Sequence, residues 1–142
     1  MKFNPQTTVE KLNAMTKNTL MEHLDIKFTE VGEDYIRAKM PVDHRHHQPY
    51  GIMHGGASVV LAETLGSVAA HCSIDSENYI SVGLEINANH IRSVKDGYVY
   101  GETKPIHVGN KTHVWEIKIT NDEGKLVCIS RITMSILKKL SN

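Results

Sequence analysis

The sequence predicts an α+β fold in which an antiparallel sheet of about five or six strands wraps around one long central helix. Residues 55–74 are apolar or small, with Glu63 as the only formal charge, the composition of a helix enclosed on nearly all sides. Four later segments, 79–90, 97–108, 112–121 and 125–137, alternate in polarity or carry β-branched residues. The turns between them, such as Lys95-Asp96-Gly97 and Asn121-Asp122-Glu123-Gly124, are short, as in an antiparallel meander.

The elements follow in order. Thr7 or Thr8 caps a short helix with Val9, Leu12 and Met15 on one face. Residues 25–31 and 35–40 read as a strand pair joined by a turn at Gly32-Glu33-Asp34. Residues 41–53 are polar and rich in histidine, with Pro49 and Gly51 as breakers, and form a loop leading into the helix. At 1.5 Å per residue that helix would be about 30 Å long, enough to cross the molecule. Gly55, Gly56 and Gly66 cost helix propensity, so something must pack closely against the backbone there.

The 142 residues fit a single domain, 1–142. Sixteen basic residues balance sixteen acidic ones, so no global field exists to hold nucleic acid or an anionic membrane, and phosphate recognition has to be local. Cys72 and Cys128 have neither disulfide-framework nor zinc-site spacing, which suits a reducing cytoplasmic setting. The first residues lack a signal peptide's apolar run, and no stretch has the ~20 apolar residues of a membrane span.

Glu63 is the first candidate for chemistry, because a carboxylate on an otherwise uncharged buried helix is costly unless it is partnered or lines a cavity. Ser67 lies one turn further on the same face, so a hydroxyl and a carboxylate could share a water molecule; a purely structural Glu63 bonded to a loop amide or to an Arg from the sheet is the alternative. His54-Gly55-Gly56 opens the helix, where unpaired N–H groups and the positive dipole end favour an anion, such as the oxygen of a polarised carbonyl. Nucleophile chemistry of other kinds is unsupported: no G-x-S-x-G elbow is present, Ser58 lacks the second glycine, and Cys72 lies in a helix beside His71. Ile80, Val82, Leu84, Ile86 and Ala88 form an apolar strand face that runs into the cations His90 and Arg92, a local patch suited to phosphates. Lys104 and His107 are weaker candidates, and Lys95 and Lys111 read as solvated. His44-Arg45-His46-His47 has no carboxylate or cysteine at ligand spacing, so these read as surface histidines and no metal is assigned.

The run Gln48-Pro49-Tyr50-Gly51-Ile52-Met53-His54-Gly55-Gly56-Ala57-Ser58, with Leu61-Ala62-Glu63 and Gly66-Ser67, closely resembles the hotdog-fold thioesterases of the phenylacetate-type (PaaI-like) superfamily. The likeness continues through Val82-Gly83-Leu84-Glu85-Ile86-Asn87-Ala88-Asn89-His90 and Arg92-Ser93 to Trp115 and Ser130-Arg131. Within the superfamily it is most similar to bacterial thioesterases acting on 1,4-dihydroxy-2-naphthoyl-CoA in menaquinone synthesis and their enterobactin-proofreading relatives. The resemblance implies an acyl-CoA thioesterase with Glu63 as nucleophile or general base. It makes the Gly55 N–H and Gln48 the polarisers of the carbonyl, His54 an orienting group and Ser67 a positioner of water or leaving group. It further implies that Gly83, His90, Arg92 and Ser93 serve the coenzyme A end, with His107 added there as the weaker candidate named above, that coenzyme A enters as substrate with no separate cofactor, and that the site lies between subunits of a homotetramer, a dimer of dimers. A non-catalytic acyl-CoA binding module on the same fold is the competing reading; a dehydratase is disfavoured by the glutamate on the central helix.

Overall fold

The computed structural model describes residues 1–141. Its centre is α3, Gly55–Cys72, capped by His54 and ending at Ser73. Around it curls one six-stranded antiparallel sheet of β1 (Lys27–Val31), β2 (Ile36–Pro41), β3 (Tyr79–His90), β4 (Tyr98–Val108), β5 (Thr112–Asn121) and β6 (Leu126–Lys138). This is the hotdog arrangement that the resemblance implies. Two short helices precede the sheet, α1 (Val9–Ala14) and α2 (Leu20–His23). Thr8 caps α1 by accepting from the Lys11 N–H at 3.2 Å. Leu12 is buried in α1, whereas Met15, expected on the same face, is 46 % exposed because the helix has already ended.

The strand order is β1-β2-β4-β5-β6-β3, which corrects the expected meander. β1 and β2 form one hairpin and β4, β5 and β6 follow one another as hairpin neighbours, but β3 leaves α3 and pairs with β6 at the far edge. The long helix is the reason, since it carries the chain away from β2 and returns it on the other side of the sheet. Ile117, Ile119, Ile132 and Met134 line the helix-facing side of β5 and β6, at most 1 % exposed. Leu61 and Leu65 of α3 are fully buried against them.

Contact between helix and sheet is close enough to require glycine. A Cβ on Gly66 would lie 2.4 Å from Ile132 Cγ2, and one on Gly101 of β4 would lie 2.5 Å from Leu65 Cδ1. The helix is less enclosed than its composition suggests, however. Gly56, Glu63 and His71 are exposed, and Val59, Val60, Thr64 and Ser67 are partly so, giving one open stripe. Glu63 is therefore not a buried carboxylate within the protomer, and the desolvation cost expected of it does not arise there.

β3 borders that stripe as an unpaired edge. Its apolar residues Ile80, Val82 and Leu84 are 41 %, 38 % and 65 % exposed. A bulge between Gly83 and Glu85 interrupts the expected even-numbered alternation. No helix among the described residues is long and apolar enough to cross a membrane.

Gly66→Ala is expected to destabilise the fold by about 1–3 kcal/mol in urea unfolding: the gain in helix propensity is offset by overpacking against Ile132, whose branched Cγ2 cannot rotate away. Equal or higher stability would mean the sheet yields at this contact.

Candidate active site

The helix start is fixed by the histidine-rich loop. His46, expected at the surface, is 1 % exposed. Its Nε2 donates to the Leu24 carbonyl at 2.8 Å, and its Nδ1 accepts the Asp43 N–H at 3.2 Å. A carbonyl can only accept, which places the ring proton on Nε2. The His46 carbonyl in turn receives the His54 N–H at 2.7 Å, so this ring sets where α3 begins. Arg45 brackets the same turn and holds the Asp43 carboxyl well below the ordinary carboxylate range. His47 Nε2 donates to the Lys95 carbonyl at 2.7 Å. Among the described residues no three His, Cys, Asp or Glu side chains gather at metal-holding distance.

Of the first-turn amides of α3, Gly56 donates to His54 Nδ1 at 2.7 Å and Ala57 to the His54 carbonyl at 2.9 Å. The Gly55 N–H forms no hydrogen bond among the described residues. His54 thus serves as the cap, with Nε2–H left outward. The His90 ring lies over Gly55 so closely that a Cβ there would be 2.7 Å from His90 Nε2. Gly55, His90, Arg92 and Ser93 line one cavity of about 260 Å³ floored by Val94 and Val127. An unpaired amide, a helix N-terminus and two basic side chains therefore meet in one place, an arrangement suited to an oxyanion or a phosphate.

Glu63 stands elsewhere. Its Oε1 is 3.5 Å from where a Cβ of Gly83 would sit, above the β3 bulge. Ser67 lies beside it, its hydroxyl directed at Met134 Sδ, 3.8 Å away. Glu63 lies eight positions after Gly55 on the helix, about 12 Å along the axis. Within a single protomer, carboxylate and free amide cannot act on one thioester carbon. Gln48 sits in the turn closed by its own N–H to the Ile52 carbonyl, and its side-chain oxygen accepts from the Tyr50 N–H, leaving its NH₂ as the available donor. His107 does not join His90, Arg92 and Ser93. The ladders align His90 with Gly101, through Cys128 and Ile119, and His107 lies six positions further along β4, towards the opposite end of the sheet.

Sequence reasoning missed the buried pinning role of His46 and the contact of Met134 with Ser67. The first left no local signal, because its partner Leu24 is 22 residues away. The second depends on the β3–β6 pairing, which turn lengths did not reveal. Ser58 and both cysteines are buried, as a core reading requires, and burial pushes both thiols above their ordinary pKa.

A sheet curled round a helix whose first amide is free and whose open stripe carries a carboxylate defines the class: a hotdog-fold thioester hydrolase. Residues 50–128 match the thioesterase superfamily model, and the chain belongs to that family. It is 49 % identical to the 1,4-dihydroxy-2-naphthoyl-CoA hydrolase of Escherichia coli, over 96 % of this chain and 100 % of that protein. A thioesterase from Pseudomonas aeruginosa, solved with a glutamine replaced by alanine, superposes with a TM-score of 0.96 at 44 % identity, covering 98 % of this chain and 100 % of the other. A thioesterase from Staphylococcus aureus has been solved in two variants, one lacking a glutamate and one a glutamine. Both are 41 % identical to this chain, with TM-scores of 0.82 and 0.80, covering 84 % and 82 % of it and 99 % and 97 % of theirs.

His46→Ala leaves the Leu24 carbonyl and the Asp43 N–H without their partner in the interior. Loss of about 2–4 kcal/mol in urea unfolding is expected, with faster amide exchange at Gln48–His54. Unchanged exchange there would detach the helix start from this ring.

Proposed function

We propose that the protein hydrolyses aromatic acyl-CoA thioesters to the free acid and coenzyme A in a site shared by two protomers. The observation that carries this reading is the separation of about 12 Å between the free Gly55 amide and Glu63 on one helix, together with the open edge of β3. A long unpaired edge strand is a template for pairing with another chain. Antiparallel pairing of β3 with its copy across a two-fold axis would turn the second helix end for end, bringing Gly55 of one protomer towards Glu63 of the other. It would also cover Val82 and Leu84. The dimers join into a tetramer, as the family resemblance implies.

In such a site the Gly55 N–H and the Gln48 NH₂ donate to the thioester oxygen as it gains charge. The His54 ring orients the group and Ser67 positions water or the sulfur. Glu63 acts as base on the attacking water or as nucleophile through an anhydride. The tetrahedral intermediate then collapses, breaking the C–S bond and releasing the coenzyme A thiolate. The cavity at His90, Arg92 and Ser93 receives the phosphate-bearing end. Support for Gln48 and Glu63 comes from the Staphylococcus aureus relative, whose substituted glutamine and glutamate have the same separation in sequence as these two. The name of the Escherichia coli relative points to 1,4-dihydroxy-2-naphthoyl-CoA, and the family resemblance adds a place in menaquinone synthesis. Two free, buried cysteines suit a cytoplasmic enzyme.

Glu63→Ala should lower kcat/KM for 1,4-dihydroxy-2-naphthoyl-CoA and benzoyl-CoA by about 10³-fold or more while the fold persists. No turnover by wild type, with tight coenzyme A ester binding, would make the protein a binding module instead. Val82→Arg on the β3 edge should yield a smaller species in light scattering and lose activity in parallel. A fully active monomer would overturn the shared site.

A further inference from the structure

The turn that presents Gln48 and the loop that carries Arg92 and Ser93 are stitched together. Residues 47–53 form a short ribbon in which His47 and Met53 oppose each other as an antiparallel bridge. Two rungs flank that bridge: the His54 N–H donates to the His46 carbonyl at 2.7 Å, and the Gln48 N–H to the Ile52 carbonyl at 2.9 Å. Gln48 stands at the start of the ribbon's tip, and Gly55 follows its base by two residues.

That base grips two consecutive carbonyls of the other loop. The Met53 N–H donates to the Val94 carbonyl at 2.7 Å, and His47 Nε2 donates to the Lys95 carbonyl at 2.7 Å. The Val42 N–H adds the Gly97 carbonyl at 2.8 Å. Val94 is buried in the core, whereas Arg92 and Ser93 just before it are exposed. The cavity at Gly55 is walled from both sides of the stitch, by Ile52 and Met53 of the ribbon and by Arg92, Ser93 and Val94 of the loop.

Of these three bonds, only that of the half-buried His47 comes from a side chain. The other two donors are main-chain amides, so His47 is the contact that depends on residue type. Contiguous hydrogen bonds between short, stiff segments can couple their positions. Binding energy from a remote part of a substrate raises kcat only where it reaches the groups acting on the reacting bond.

We propose that His47 is a positioning residue that transmits binding of the substrate's phosphate-bearing end to the Gln48 side chain. The inference rests on the thioesterase reading above and gives the coenzyme A nucleotide a part in turnover as well as in affinity. When phosphates engage Arg92 and Ser93, the Val94 and Lys95 carbonyls fix the ribbon's base through His47 and Met53. The tip then holds the Gln48 NH₂ against the thioester oxygen as it gains charge. With alanine in place of His47 the loop still binds phosphate, but only Met53 ties it to the ribbon.

The test compares benzoyl-CoA with benzoyl-pantetheine, which keeps the thioester and lacks the nucleotide. Wild type should show the higher kcat on the full thioester. His47→Ala should lower that kcat about tenfold, the size of one lost hydrogen bond, and leave kcat on the short thioester within about twofold. His47→Gln, whose side-chain amide can donate to the same carbonyl, should restore most of the loss. Equal losses on both thioesters, a loss confined to KM, no recovery with glutamine, or equal wild-type kcat on the two thioesters would overturn the coupling. A second readout needs no turnover: adenosine 3′,5′-bisphosphate added to ¹⁵N-labelled protein should shift the Arg92 and Ser93 amides in wild type and in His47→Ala alike, but the Gln48 side-chain amide in wild type only. A Gln48 resonance that moves in both proteins, or in neither, would overturn the proposal as well. Failure of wild type to hydrolyse either thioester would instead defeat the thioesterase reading, with the resonances still judging the coupling.

Discussion

Everything in this molecule depends on how closely one helix approaches one sheet. Gly66 on the helix and Gly101 on the sheet each replace a side chain that would collide with Ile132 or Leu65. That proximity lets six strands curl far enough to bury Leu61, Leu65 and the β5 and β6 isoleucines in one core. Close packing leaves little room for a void, so polar chemistry is displaced to the helix start and to its open stripe.

The helix consequently divides its functions along its length. Its first turn has a free amide because the His54 ring and carbonyl satisfy the other two, and because His46 holds the preceding loop in register. Its middle carries a carboxylate over a glycine at a strand bulge. The bulge and the missing side chain at Gly83 keep the space beside Glu63 open, at the cost of a strand edge that a single protomer cannot cover.

Much of this is legible in the sequence. Composition alone locates the helix to within two residues at its C-terminal end, because a long apolar run holding glycines and a single charge is hard to accommodate except as an enclosed helix. Strand positions emerge from alternation with errors of one or two residues. What stays hidden is non-local. The return of β3 to the far edge and the burial of His46 against Leu24 both depend on contact between distant segments, which turn lengths and periodicity do not encode. Glu63 stands out in the sequence through a burial cost that is absent in the protomer, so the family resemblance, and not desolvation, is what supports that residue. His107 is grouped with His90 and Arg92 only by its charge, and the ladders set it towards the opposite end of the sheet.

The distance along α3 between its free amide and its carboxylate has a genetic corollary. If each centre takes one half from either copy, a chain damaged at Glu63 and a chain damaged at Gly55 carry lesions in complementary halves. Mixed dimers of two inactive proteins then contain one centre with both defects and one with neither, so two null alleles expressed together would restore turnover that each abolishes alone.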